Sequence, residues 1–342
     1  MSPLRAWRDG IRRVASAPAI LVGVWVMTLL VGLPLALALR GEISRHLGSS
    51  LAAGTAASGV NYEWMQEFAD QATGLGATLR PTILGFAAVL DNLSAFLDNT
   101  ARPIVVVGAA VAYMALWLFA AGGIIDRYAR GRGTGVHGFF AASGVFFFRF
   151  FRLAMVMFAV YGLLFGYVHP WLFDRVYPRL TREINIEPTA FLVRAGLYLA
   201  FGLALGVCNL VFDYAKVRAV VEDRRSALGA LLSAIRFVRR NPSAAITVYL
   251  LDVALFALTL AGYAAVAPGA GGIGWTMWIG FGIGQAYIMA RLCVKLIFWA
   301  SETALFQGRL AHAGYVAAVE PVWPDSPSAQ ALQHHGDMFS VP

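Results

Sequence analysis

Asp252 has the most chemistry to offer in this sequence, because it sits inside an apolar run covering residues 243 to 267. At helical spacing, Tyr249, Phe256, Thr259 and Tyr263 fall on the same face. A charge left bare in hydrocarbon costs about 3 kcal/mol or more, so that face is expected to look into a helix bundle. Two roles fit. Asp252, with Tyr249, Thr259 and Tyr263, could form a protonatable or solute-contacting site near mid-membrane. Alternatively it is a structural carboxylate hydrogen-bonded to a Tyr or Thr of a neighbouring helix. No second acid and no basic partner stands at evident equal depth, which favours the structural role.

A second set combines charge with small residues. Gly202, Gly206, Asn209 and Asp213 share one face at the end of the run 190 to 212, as do Gly280, Gly284, Arg291 and Lys295 in the run 274 to 299. Small residues four apart let helix backbones approach closely. The approach should bring Asp213 to Lys295 or Arg291, where a carboxylate and a cation relieve each other's desolvation. This is a structural ion pair, or a gate if the pair breaks.

Other familiar chemistries are missing. Gly133-Thr134-Gly135-Val136-His137-Gly138 matches G-x-G-x-x-G, but that motif grips a pyrophosphate only between a strand and a helix, so it reads here as a turn. The six histidines, His46, His137, His169, His312, His334 and His335, show no metal-binding spacing, and no metal is expected. Without a nucleophile elbow, a Walker loop or paired carboxylates, no catalytic residue and no cofactor can be named. Cys208 and Cys293, both inside apolar runs, offer no disulfide framework.

The elements that position these residues live in lipid. Hydrophobic residues make up 59% of the chain and charged ones 13%, whereas a soluble domain is about a quarter charged. A membrane-spanning helix needs about 20 apolar residues. Such runs cover residues 18–39, 103–125, 150–169, 190–212, 243–267 and 274–299. The sequence therefore predicts an all-α membrane protein with six transmembrane helices. Arg5, Arg8, Arg12 and Arg13 in the basic segment 1–17 imitate a signal peptide, but the run behind them exceeds the roughly 7 to 15 residues of a signal core, so an uncleaved span is expected.

Of the 27 Lys and Arg, 19 fall on the side of the N-terminus in this arrangement. Basic residues resist translocation. Both termini are thus expected in the cytoplasm, and the setting that fits is a bacterial inner membrane. The net charge of +8 is spread along membrane flanks, pointing to anionic lipid and not to nucleic acid.

Charged positions also repeat. Asp126, Arg149 and Arg152 reappear as Asp213, Arg236 and Arg239 at one constant offset. Within the connections 126–149 and 213–242, GFFAASGVFFFRFFR from Gly138 and SALGALLSAIRFVRR from Ser226 each set an apolar face beside arginines just before a span. Both read as amphipathic interfacial helices. Arg8, Ile11 and Arg12 suggest a third copy, making three hairpins in parallel repeat. Arg149, Arg152, Arg236, Arg239 and Arg240 are the expected lipid-headgroup contacts, each attracted by about 1 kcal/mol.

The long loop 40–102 lies on the other side. Residues 41–59 are small and flexible in character. Trp64, Phe68, Leu75 and Leu79, then Phe86, Leu90, Leu93 and Leu97, follow helical spacing on either side of Arg80-Pro81. This outer pair of amphipathic helices either docks on the bundle and lipid or offers a protein partner a surface. The shorter outer loop covers residues 170–189, and the tail 306–342, with Pro321, Pro324, Pro327 and Pro342, is expected to be extended.

The stretch from Asp213 to Pro242, DYAKVRAVVEDRRSALGALLSAIRFVRRNP, resembles the connection found in uncharacterised bacterial six-span proteins, which in turn resemble the membrane domain of some glycerophosphodiester phosphodiesterases. The resemblance implies an integral bacterial membrane protein linked to envelope lipids. It implies no phosphodiesterase activity, because no such domain is present. A non-catalytic scaffold or accessory protein that holds anionic lipid is the function expected, and a small-solute or lipid transporter using Asp252 is the alternative.

Overall fold

Hydrocarbon offers backbone groups no partners, so a chain this apolar must satisfy them within its own segments, and helices do that. The computed structural model describes residues 1–48, 50–80, 84–269 and 274–309. The tail expected to be extended from residue 306 instead continues the last helix through Arg309; its remainder from residue 310, the histidines at 312, 334 and 335, and Pro81 of the loop break lie outside the described residues.

Eleven helices and no strand occur among the described residues. In chain order these are α1 (Pro3–Ala15), α2 (Pro18–Leu47), α3 (Ala53–Ser58), α4 (Tyr62–Gln71), α5 (Ala87–Leu97), α6 (Ile104–Arg130), α7 (Gly135–Thr181), α8 (Glu187–Val221), α9 (Ala227–Arg240), α10 (Pro242–Val266) and α11 (Trp275–Arg309). Six of them, α2, α6, α7, α8, α10 and α11, are long and apolar enough to cross a membrane. The chain is a multi-pass, all-α integral membrane protein.

The long helices continue past the apolar runs. Residues 138–152 are the first half of α7 itself, with no break before the apolar run at 150. Farther along, α7 widens on either side of Pro170: the His169 N–H bonds back to the Leu164 carbonyl and the Tyr177 N–H to that of Leu172. Proline lacks an N–H and its ring crowds the preceding turn, so five-residue turns let the helix pass it without stopping.

Packing is concentrated at one end, the basic end that carries α1, the α6–α7 turn and α9. Buried residues run from Trp117 to Ala129 on α6, from Leu292 to Phe306 on α11, and from Phe201 to Val221 on α8. Toward the other end the same helices expose Val107, Val111, Leu199, Leu203 and Phe281. Apolar side chains there face the lipid.

Three helix pairs build the basic end: the start of α7 on α6, α9 on α8, and α1 on α11. Ser143, Phe146 and Phe150 of α7 are buried in the first pair, and the residues one repeat later, Ala230, Ser233 and Phe237, are buried in the second. The third pair closes a ring, since α1 precedes the first span and α11 is the sixth.

Close backbone contact occurs where α6 meets α7 and α1 meets α11. A Cβ on Gly123 would lie 2.6 Å from Ser143 Oγ and 2.7 Å from the Phe139 carbonyl oxygen, and one on Gly10 would lie 2.6 Å from the Ser301 backbone nitrogen. Of the glycines expected to allow close helix approach, Gly202 and Gly284 meet nothing within 4 Å, Gly206 meets only the Tyr249 ring at 3.9 Å, and a Cβ on Gly280 would lie 3.2 Å from the Pro268 side chain in the preceding connection and not against a helix. Gly202 and Gly206 stand beside the buried Phe201 and Leu205, so the larger neighbours on the helix make the contacts and the missing side chains bring no backbone closer.

In the long loop, α3 forms within the stretch read as flexible, and α4 docks on the extended end of α2. Trp64, Phe68 and Leu79 are buried together against Leu39, Ile43 and Leu47. The Trp64 Nε1 donates to His46 Nδ1 at 3.0 Å, so the indole loses water without losing its hydrogen bond. Asp91 of α5 pairs with Arg102 at 2.9 Å.

Candidate functional site

Four carboxylates, Asp126, Asp213, Asp252 and Glu302, are buried in the basic end, each no more than 4% exposed. Asp126, Asp213 and Glu302 sit near the ends of α6, α8 and α11, one per repeat. Each must find donors or carry a desolvation cost of several kcal/mol.

Asp252 finds them in helices distant in sequence. Trp7 Nε1 of α1 donates to Oδ1 at 2.9 Å, and Ser301 Oγ of α11 donates to Oδ2 at 2.7 Å. The side chain is fully enclosed where α1, α10 and α11 meet. The residues expected to share its site go elsewhere. Tyr249 accepts from Asn209 Nδ2 at 3.4 Å, Thr259 Oγ1 donates to the Leu255 carbonyl at 2.9 Å, and Tyr263 stacks on Tyr287 with ring centroids 4.0 Å apart. A shared helix face placed them in line along α10 but at different heights, each beside its own neighbour.

Asp213 does not pair with Lys295 or Arg291. Lys216, one turn farther along α8, reaches its Oδ1 at 2.6 Å; Asn209 Nδ2 donates to Oδ2 at 3.0 Å and Trp299 Nε1 to Oδ1 at 3.4 Å. A partner three residues away on the same helix needs no precise interhelical approach, so the local pair is the one present. Asp126 behaves alike, meeting Arg130 at 2.9 Å.

Lys295 is left to aromatic rings. Its Nζ lies 3.6 Å from the Trp117 ring centroid and 5.6 Å from that of Trp299, and these two rings meet edge to face. Arg291 stands one turn before it on α11, and both residues are exposed while Leu292, Val294 and Leu296 between and beside them are buried. Glu302 is the remaining acid: it is wholly buried, and neither carboxyl oxygen has a hydrogen-bond partner among the described residues.

The arginines expected at headgroups divide into two kinds. Arg149 of α7 pairs with Asp223, and Arg152 Nη2 donates to the Arg225 carbonyl at 3.1 Å. Arg236, Arg239 and Arg240 of α9 are exposed, and none has a carboxylate within 4.0 Å among the described residues. Where α8 hands over to α9, Arg218 and Arg224 both reach Glu222 at 2.6 Å, and Arg218 also donates to the Ser233 carbonyl. Burial opposes the Glu222 charge, but the two guanidinium groups outweigh it and hold this carboxyl below its usual range.

Gly133 and Thr134 lie in the α6–α7 turn, and the rest of the G-x-G-x-x-G match begins α7. No group of three metal-ligating side chains occurs among the described residues. Sequence reasoning missed Trp7, Ser301 and Glu302. For Glu302 a signal existed, since it follows Asp213 by nearly the interval at which Asp213 follows Asp126. Compared with known families, curated proteins and solved structures, the chain matches none.

Proposed function

We propose that the protein is a non-catalytic, lipid-associated scaffold or accessory protein of a bacterial inner membrane, with its basic end in the cytoplasm. The two faces of α9 carry this reading. Ala230, Ser233, Ala234 and Phe237 dock it on the bundle, while Leu228, Leu232 and Ile235 are exposed on the opposite face beside Arg236, Arg239 and Arg240. An amphipathic helix lying in the headgroup layer has this form, with leucines dipping into acyl chains and arginines meeting phosphates. The basic rim continues into a shallow, open depression of about 520 Å³ lined by Arg152, Val156, Arg225, Ser226, Ala227 and Leu228, where guanidinium groups again flank apolar side chains.

The transport reading draws less support, because both oxygens of Asp252 are occupied by Trp7 and Ser301. At the opposite end, α4 spends its apolar face on α2. A protein partner would therefore meet α5, where Leu90, Leu93 and Phe96 are exposed.

Changing Arg236, Arg239 and Arg240 together to Gln tests the proposal. With about 1 kcal/mol per cation near an anionic surface, retention of phosphatidylglycerol by the purified protein should fall by at least tenfold while the fold survives. Equal retention by the variant and the parent would contradict the lipid-holding role.

A further inference from the structure

We propose that Arg291 and Lys295 of α11 bind the phosphate group of an anionic amphiphile within the bundle, at a site separate from the α9 arginines and independent of the function assigned to them. Three observations lead there. The two cations are one helical turn apart in an apolar span, where like charges at that spacing repel. Neither has a carboxylate within 4.0 Å among the described residues, because Lys216, Asn209 and Trp299 already engage Asp213. Both residues are nevertheless partly open to their surroundings, while their neighbours Leu292, Val294 and Leu296 are buried.

The surroundings fit an acceptor without protons to give. Lys295 rests on the Trp117 ring, which fixes the ammonium without neutralising it. Trp117 is buried, and its Nε1 has no acceptor among the described residues. Donors are thus in excess here: a guanidinium fork, an ammonium and an indole N–H. Phosphate oxygens match the fork in two-point fashion and accept from the ammonium as well. Farther from the basic end, α11, which carries both cations, and α8, which packs on it, expose apolar side chains, Phe281 on α11 and Leu199 and Leu203 on α8. Such a wall suits an acyl chain and does nothing for a small soluble anion, which favours a lipid as the source of the phosphate.

Full-length protein in mild detergent can be titrated with phosphatidic acid and with phosphatidylcholine, bound lipid being counted by native mass spectrometry. Inorganic phosphate is added separately while the unfolding temperature is followed. Parent protein should prefer phosphatidic acid, and R291Q and K295Q should each weaken that binding about tenfold, the scale of one charge-assisted hydrogen bond. The charge-preserving double variant R291K/K295R should keep most of it. The Arg236, Arg239 and Arg240 triple variant should keep the Arg291-dependent component, so failure of one proposal is visible apart from failure of the other. Stabilisation by inorganic phosphate, lost in R291Q, would assign the site to a free anion and keep its phosphate chemistry. Equal binding of both lipids with no phosphate effect, or a preference unchanged in R291Q and K295Q, overturns the site.

Discussion

Glu302 shows at the level of one side chain how a repeat can leave a residue stranded. Asp126 and Asp213 each have a cation one turn farther along, Arg130 and Lys216, whereas the corresponding positions after Glu302 are Leu305 and Phe306. A carboxyl group with no partner is expected to work against folding. Glu302→Met, which keeps the length and removes the polar atoms, should raise stability by about 1–3 kcal/mol in a detergent unfolding titration. A loss of stability would mean that Glu302 has a partner that the described residues do not supply. Residue type alone told that Asp252 must be enclosed, since an isolated carboxylate in an apolar run leaves few options. Its partners could not be read off the sequence. Trp7 and Ser301 lie in other helices, and hydrophobic periodicity reports which face of a helix is buried but not against which helix.

Helix ends carry the next level of control. At the α8–α9 junction, Arg218, Glu222 and Arg224 form a clamp, and Arg218 extends it to the Ser233 carbonyl. Because the Glu222 carboxyl is held below its unfolded value of about 4.3, its stabilising contribution is complete above that pH and disappears as pH drops through the lower folded value. Glu222→Gln should therefore flatten the acid limb of the stability profile, by no more than about 1 kcal/mol since solvent screens the cluster, and leave neutral-pH packing intact. An unchanged acid limb would remove the clamp from the account. The elements themselves were legible where the signal was long: all six apolar runs are helices. The glycines were not. Gly202 and Gly284 have the right spacing for close contact but face no neighbour within 4 Å, while Gly123 and Gly10 lie where the backbones touch. Spacing along one helix cannot reveal the position of the crossing point.

In the whole molecule, the hairpin repeat becomes a ring because α1 takes the place on α11 that the start of α7 takes on α6. Removing residues 2–16 should deprive Asp252 of the Trp7 donor, and Tyr128 and Gln307 of their hydrogen bonds to Arg13, at 2.9 and 2.7 Å. The expected loss is about 3–5 kcal/mol, the scale of breaking a buried charged contact, measured as a lowered unfolding midpoint. An unchanged midpoint would show that the ring stands without its closing member. The ring also dictates an order of events during synthesis. At about 5–20 residues per second, α11 leaves the ribosome tens of seconds after α1. Throughout that interval the Trp7 face has nowhere to dock, and Asp252 enters the bilayer before Ser301 exists. The newborn chain must therefore wait at the membrane surface, half built, for its last helix to fasten its first.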